Sequence, residues 1–292
     1  MMGGENMAQA GMRDIKRRIR SVSSTKQITK AMELVSSAKL RRAREKLEKT
    51  RPYYNTIVRS IRDILTSTSG IRHPFLEKRE VKKAAYIVIT ADRGLCGGYN
   101  NNVIKLTEEN IKNKDNAVII AVGQKARDFF KKRGYNLAEE FVHISENPNY
   151  SHAREIGDIV INLYKMREID EVNIVYTQFE STISQVTKIM KLLPAENVVE
   201  KGDRKKTTLV EYEPSPEEVL DYLIPKYIHS VIYGAMIEAS ASEQAARRNA
   251  MESATDNAQE MIENLKLSYN RARQASITQE IAEIVGGAEA LK

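Results

Sequence analysis

The sequence predicts an α/β domain inserted between two long terminal helices that form an antiparallel coiled coil. Glycine, which weakens helices, is sparse at both ends of the chain. No glycine occurs between Gly11 and Gly70, and Gly234 is the only one between Pro225 and Gly286. The middle of the chain instead alternates short apolar runs with helical patterns, which is typical of a parallel sheet covered by helices.

Four segments follow from these patterns. Residues 1–11 are predicted to be a flexible N-terminal extension, and residues 12–69 the N-terminal coiled-coil helix. Residues 70–215 are predicted to form an α/β Rossmann-like domain, and residues 216–292 the C-terminal coiled-coil helix.

The first helix combines a thin apolar stripe with a strong positive charge. Between Met12 and Arg51, fourteen basic residues stand against four acidic ones, a net charge of +10 in a chain whose total is +7. An acidic surface, a nucleic acid or a membrane face could each be the partner of such a helix. Pro52 is expected to kink or interrupt the helix at Arg51. The apolar residues follow mostly three-and-four spacing: Ile15, Ile19, Val22, Ile28, Met32 and Val35.

Five strand-like runs alternate with three helical stretches in the middle of the chain. The predicted strands cover residues 84–90, 116–122, 137–144, 171–179 and 184–192, and the predicted helices cover 101–113, 124–133 and 152–167. This spacing predicts a parallel sheet. Residues 195–208 are rich in charged side chains and are predicted to be an exposed loop.

The last helix is much longer than an ordinary globular helix. About 60 residues at a rise of 1.5 Å would span about 90 Å, and the frequent charges exclude a membrane span. From Glu238 to Lys292, six basic and nine acidic residues give a net charge of −3, opposite in sign to the first helix. The candidate seam for a partner helix is Ala250, Ala254, Ala258, Met261, Leu265, Tyr269 and Ala272.

The loop from Ala91 to Asn100, ADRGLCGGYN, follows a strand and precedes a helix, where a phosphate-binding loop would lie. It contains neither Gly-x-Gly-x-x-Gly nor Gly-Lys-Ser/Thr, so the sequence favours a tight turn over a nucleotide site. Cys96 is the only cysteine, and the four histidines are scattered singly along the chain. We therefore expect no catalytic, cofactor-binding or metal-binding residues, and no cofactor.

Three classes of function stay open from the residues alone: an enzyme with a Rossmann-like domain, a nucleic-acid binder, and a mechanical or interaction subunit. The enzyme would lack a phosphate loop and a catalytic constellation. The nucleic-acid binder would lack aromatic residues interleaved with its basic helix. Only the third class accounts for both long helices.

Four stretches resemble the gamma subunit of the F-type ATP synthase, of the bacterial type. They are residues 12–22, 30–40, 92–100 and 241–281, and the similarity extends over about Met12 to Leu291. The resemblance implies a non-catalytic central-stalk rotor that transmits torque between an ion-driven c-ring and catalytic beta subunits, coupling ion flow to ATP synthesis or hydrolysis. The implied partners are an alpha3-beta3 hexamer, an epsilon subunit and the c-ring, without nucleic acid. The implied location is the cytoplasmic face of the bacterial plasma membrane, with membrane association through the Fo sector only.

The resemblance also implies which residues contact these partners. Those expected at the beta subunit are Lys30, Met32, Glu243, Arg247, Arg273, Gln274, Thr278 and Glu280. Those expected at the epsilon subunit or the c-ring are Asp92, Arg93, Tyr212 and Glu213.

Overall fold

A computed structural model describes residues 3–67, 73–77, 79–195, 212–213 and 215–290. The chain divides into two compact units. The first consists of Met1–Val35 with Arg248–Lys292, and the second of Ser36–Arg247. Two long helices contribute to both units: α1, Gly3–Ser67, and α5, Pro216–Ala290. Apart from Ala195, the predicted exposed loop 195–208 lies outside the described residues.

The second unit contains a five-stranded sheet. Its strands are β1, Ala84–Ile89; β2, Ala117–Val122; β3, Asn136–Phe141; β4, Glu171–Phe179; and β5, Gln185–Leu193. Their order in the sheet is β3-β2-β1-β4-β5. The first four strands are parallel, but β5 is antiparallel to β4, so the prediction of a purely parallel sheet is wrong at this edge. Only five residues connect β4 to β5, which is too short for a crossover and permits only a hairpin.

Helices cover both faces of this sheet. Alternate residues of β1 point to opposite faces, so that Ile87 and Tyr86 belong to different hydrophobic clusters. On one face pack α2, Tyr99–Asn110, and α3, Gln124–Lys132. On the other pack α4, Tyr150–Lys165, the end of α1 and the beginning of α5. The largest cluster therefore ties both long helices to the sheet within the second unit.

Helix α1 is longer and more continuous than the sequence predicts. It starts at Gly3, inside the segment predicted as a flexible extension, because Met7 to Ala10 are all good helix formers. The helix is not interrupted at Arg51, one of the two outcomes predicted there, since Pro52 lies within the continuous helix. A proline inside a helix costs about 3 kcal/mol. Burial of apolar side chains after the proline offsets this cost: Ile57, Ile61 and Ile64 are each at most 5% exposed in the main core.

The buried stripe of α1 differs from the predicted one. Ile28 and Val35, assigned to the apolar stripe, are 58% and 55% exposed. The buried positions follow alternating steps of four and three instead: Thr29, Glu33, Ser36, Leu40, Ala43 and Leu47. Such alternation averages 3.5 residues per turn, the repeat of helices that pack along their length.

Helix α5 shows the same repeat in the first unit. The buried residues there are Met251, Thr255, Ala258 and Ile262, again separated by four, three and four positions, and Ser276, which lies 276 − 262 = 14 positions further along. The predicted seam of residues four apart is correct at Ala258 but wrong at Met261, which is 58% exposed. A strict spacing of four drifts around the helix, whereas alternation of four and three keeps the side chains on one face.

Candidate interaction site

The loop after β1 lies at the carboxyl edge of the sheet and is held by the neighbouring strand. The Thr90 backbone N–H donates to the Val122 carbonyl at 2.8 Å, and the Thr90 hydroxyl accepts from the Ala126 N–H at 2.9 Å. Gly123 makes this close approach possible. Its φ is +93°, and a Cβ at this position would lie 2.2 Å from the Thr90 carbonyl oxygen.

The Asp92 carboxylate joins three loops at this edge. One oxygen accepts from the backbone N–H groups of Gln124 at 3.1 Å and His143 at 2.8 Å. The other accepts from the Ser145 N–H at 3.1 Å and the Ser145 hydroxyl at 2.8 Å. Burial raises the pKa of Asp92, but these hydrogen bonds outweigh burial and hold the pKa below its ordinary value. Asp92 is thus 8% exposed and engaged inside the chain, which leaves Arg93 and Leu95 as the exposed side chains of this turn.

Cys96 and Asn100 close the same turn from within. The Asn100 amide oxygen accepts from the Ala91 N–H at 2.8 Å, and its amide nitrogen donates to the Cys96 sulfur at 3.2 Å. Burial is the largest cause of a raised pKa of the Cys96 thiol. A buried thiol of raised pKa is a poor nucleophile. The Cys96 side chain therefore contributes to this loop by packing and hydrogen bonding.

An ion pair on α5 fastens this loop to the helix. Glu243 is 1% exposed and Arg247 is 6% exposed, and their side chains approach to 2.7 Å. Arg247 also donates to the Gly94 carbonyl at 3.3 Å, and the Tyr99 hydroxyl donates to the Ala239 carbonyl at 3.1 Å. Burial raises the pKa of Glu243, and Arg247 acts in the opposite direction. The loop and α5 are therefore joined by groups that are costly to unpair.

The first unit contains a different set of polar contacts between α1 and α5. The hydroxyl groups of Thr29 and Thr255, both buried, are hydrogen-bonded at 2.8 Å. Nearby, the Lys26 ammonium donates to the Gln259 side chain at 2.6 Å. The residue numbers of these two pairs add to 284 and 285. A residue earlier in α1 therefore contacts a residue later in α5.

The predicted contact residues are distributed over both units. Lys30 is exposed and pairs with Glu33 at 3.0 Å, while Met32 is half-buried. Tyr212 is half-buried against the main core, and Glu213 is exposed. The residues predicted near the end of α5 are all exposed: Arg273, Gln274, Thr278 and Glu280.

Two features of the second unit were not predicted. One is the fastening of the loop by Arg247, whose contact with Gly94 spans 153 positions of sequence and leaves no local pattern. The other is a cleft beside Glu238, between α1, α5 and the sheet. Its only sequence signal is Gly234, the one glycine between Pro225 and Gly286.

Membrane spans and metal clusters are both absent from the part of the chain that the structure describes. None of the described helices is long and apolar enough to cross a membrane. Within the same residues, no three His, Cys, Asp or Glu side chains are grouped so that they could hold a metal ion.

Comparison with known proteins places the whole chain in one family. The family model described as ATP synthase matches residues 11–291. The ATP synthase gamma chain of Alkaliphilus metalliredigens is 62% identical over 286 residues, which cover 97% of this chain and 99% of that relative. The sodium-ion-specific ATP synthase gamma chain of Acetobacterium woodii is 54% identical over 297 residues, covering 96% of this chain and 98% of the relative.

Solved structures give the same assignment. A chain of the Tetrahymena thermophila mitochondrial ATP synthase central stalk and c-ring is 28% identical, with a TM-score of 0.60 over 78% of this chain and 99% of that one. A chain of the Euglena gracilis mitochondrial ATP synthase rotor has a TM-score of 0.67 at 21% identity, over 92% of this chain and 99% of that one, and is evidence for the fold alone.

Proposed function

This chain belongs to the ATP synthase gamma-chain family, and on that premise we propose that it is the central-stalk rotor subunit of a bacterial F-type ATP synthase. In this role it transmits torque between an ion-driven c-ring and the catalytic beta subunits, so that ion flow is coupled to ATP synthesis or hydrolysis. The chain itself catalyses no reaction. The full-length match to gamma chains is the observation that carries the proposal.

The torque-bearing element we propose is an antiparallel coiled coil of α1 and α5. Steps of four and three between buried residues support it on both helices. The Thr29–Thr255 and Lys26–Gln259 contacts support the antiparallel direction, because their residue numbers run oppositely. Leu40 and Ala43 cluster with Ala241 and Ala245 in the second unit, so a later part of α1 than Thr29 packs with an earlier part of α5 than Thr255.

Surrounding subunits are proposed to cover the exposed apolar side chains of the first unit. Ile28, Leu34 and Val35 on α1 are each more than half exposed, and so are Ile281 and Ile284 on α5. Such a concentration of exposed apolar surface marks a site of protein–protein contact. The proposed partner is the alpha3-beta3 hexamer.

The individual contact residues remain proposals. Those assigned to the beta subunit are Lys30, Met32, Glu243, Arg247, Arg273, Gln274, Thr278 and Glu280, and those assigned to the epsilon subunit or c-ring are Asp92, Arg93, Tyr212 and Glu213. Exposure supports Arg273 and Arg93, whose guanidinium groups are available to acceptors on another chain. Asp92, Glu243 and Arg247 are buried, so we propose that they act by positioning the exposed turn between Arg93 and Leu95.

The proposed location is the cytoplasmic face of the bacterial plasma membrane, where the chain is peripheral and associates through the Fo sector only. Epsilon and the c-ring are the proposed partners on that side. The similar chain from Tetrahymena thermophila belongs to a central stalk with a c-ring, which supports this assignment.

Reconstitution tests the proposed function. The full chain is combined with alpha and beta subunits, and ATPase activity and single-molecule rotation of a bead attached to this chain are measured. We expect a stable complex in which ATP drives rotation of the bead. A complex that hydrolyses ATP while the bead stays fixed would contradict the rotor assignment.

Arg273→Ala tests one proposed contact within this assembly. We expect lower torque per ATP hydrolysed with unchanged assembly, because the variant removes an exposed guanidinium that we assign to the beta-subunit contact. Arg271→Ala is the matched control, since it removes the same exposed side chain two positions away on the helix. If Arg273→Ala and Arg271→Ala gave equal torque, Arg273 would not belong to the proposed contact.

A further inference from the structure

A small cleft in the second unit lies between both long helices and the sheet. Its volume is about 140 Å³. Helix α1 contributes one wall, strands β4 and β5 the second, and helix α5 the third. The apolar side chains lining it are Leu47, Met190, Val231 and Ala235. The lining of this cleft is thus partly apolar and partly polar, and the cleft plays no part in the proposed contacts with other subunits.

Glu238 places a carboxylate in this cleft. Its Oε2 atom is buried and has no hydrogen-bond partner among the described residues. The Tyr176 hydroxyl donates a hydrogen bond to the carboxyl group, and burial raises the pKa of Glu238 while Arg51, Lys188 and this hydrogen bond act to lower it. A buried acceptor without a donor is costly, so a donor supplied from the cleft would remove an existing penalty.

Gly234 keeps the cleft open from the α5 side. A Cβ built at this residue meets no atom within 4 Å, so the neighbouring structure does not require a glycine there. Glycine within a helix is less stable than alanine. A larger side chain at this position would project into the open space and reduce it.

We propose that this cleft is a binding site for a small uncharged phenol or alcohol. The hydroxyl of the ligand donates to the Glu238 carboxyl group, and its apolar body packs against Leu47, Met190 and Val231. The volume is suitable, since an apolar cavity of roughly 150 Å³ accommodates benzene.

The charges around the carboxyl group select an uncharged ligand. A ligand cation would lie near the positively charged Arg51, which lines the cleft. A ligand anion would face Glu238 itself. A neutral hydroxyl donates to the carboxyl group without either repulsion.

Titration of the full chain with phenol tests the proposal. Methionine methyl groups are labelled with ¹³C, and the Met190 signal, assigned with Met190→Leu, reports on the cleft directly. Toluene and benzylamine, the latter protonated at pH 7, are the comparison ligands. We expect saturable shifts with phenol, about tenfold weaker binding of toluene because it lacks the hydroxyl donor, and still weaker binding of benzylamine.

Two variants and a control connect binding to this cleft. Gly234→Leu fills the open space and is expected to abolish the Met190 shift, whereas Gly286→Leu, at an exposed position of the same helix, leaves it unchanged. Glu238→Leu removes the acceptor and is expected to give phenol and toluene equal affinities. No saturable shift with phenol in the folded wild-type chain would overturn the site. Tighter binding of benzylamine than of phenol would overturn the assigned class of ligand.

Discussion

The buried ion pair between Glu243 and Arg247 gives the sharpest test of how the loop after β1 is held. Removing one member of a buried pair leaves an uncompensated charge and typically costs about 3–5 kcal/mol. Both Arg247→Met and Glu243→Leu are therefore expected to lower the free energy of unfolding by this amount near pH 8. The double variant is expected to lose much less, because buried ion pairs replaced by apolar groups are often neutral in stability or better.

The dependence on pH separates the two single variants. Burial raises the pKa of Glu243, so the folded chain holds this proton more tightly than the unfolded chain does. Stability contributed by the protonated form is therefore lost as the pH rises from the unfolded pKa through the folded one. Arg247→Met removes a group that lowers this pKa and moves the window upward, so its cost should be largest at pH 8 and smaller at pH 5. Glu243→Leu removes the titrating carboxyl group itself and leaves a guanidinium that stays charged throughout, so its cost should fall as the pH rises from 5 to 8, opposite to the cost of Arg247→Met.

Urea denaturation followed by tyrosine fluorescence measures these changes in stability in the second unit, which contains Glu243 and Arg247. The chain has no tryptophan and 13 tyrosines, of which Tyr269 alone belongs to the first unit. Arg41→Met is the matched control, because Arg41 and Glu45 form an exposed pair with the same spacing of four residues. It should cost less than about 1 kcal/mol. A cost of Arg247→Met that is equal at pH 5 and pH 8 would refute the assignment of Glu243 as its buried counter-charge.

Three further predictions concern other parts of the chain. Gly123→Ala should lower the free energy of unfolding by more than about 3 kcal/mol, because both its positive φ and the Thr90 carbonyl oppose a Cβ; urea denaturation with near wild-type stability would contradict this. The double variant Thr29→Val with Thr255→Val should change stability by less than about 1 kcal/mol by circular dichroism, since both hydroxyls are replaced by methyl groups of similar shape; a loss above about 2 kcal/mol would argue that the pair is essential. Burial is the largest cause of a lowered pKa of His229, so the wild-type chain should lose stability as the pH falls below about 6.5, and His229→Gln should lose less; parallel pH profiles would contradict this.

The core of the sheet could be predicted from the sequence because its strands carry their own signal. Strands β1 and β2 are buried on both faces and appear as unbroken apolar runs, and β4 begins where predicted. The edge strand β3 has exposed glutamates and ends at Phe141, three residues before the predicted end. The direction of β5 depends on the length of its connection to β4 rather than on its composition.

The stripe along α1 could not be predicted because hydrophobicity and burial disagree there. The spacing of apolar residues predicts that Ile28 and Val35 are buried, but both are exposed. Thr29, Glu33 and Ser36 are buried instead, although such residue types are mostly found on surfaces. Which residues of α1 are buried depends on the helix that packs against it, and the sequence of α1 alone does not contain this information.

The loop after β1 illustrates the same limit at the candidate site. The turn itself was predictable from its glycines, but positive φ was expected at Gly94, Gly97 and Gly98 and occurs only at Gly97, at +57°, while Leu95 has a φ of +63°. Its fastening depends on Ser145 and Arg247, which lie far away along the sequence. Burial of Asp92, next to the exposed Arg93, follows from its hydrogen bonds with Gln124, His143 and Ser145, which all lie far from it along the sequence.

The burial of small polar side chains along α1, in place of apolar ones, has a physical consequence for the proposed rotor. Small polar side chains between two helices permit close packing but remove little apolar surface from water, so the helix pair contributes modest hydrophobic stabilisation by itself. The larger apolar side chains that could have filled this seam, such as Leu34 and Val35, are exposed in the first unit. Their burial would therefore stabilise an assembly with other chains rather than the isolated fold. On this reasoning the first unit should gain much of its stability on assembly with the proposed subunits, whereas the second unit has a large apolar core of its own.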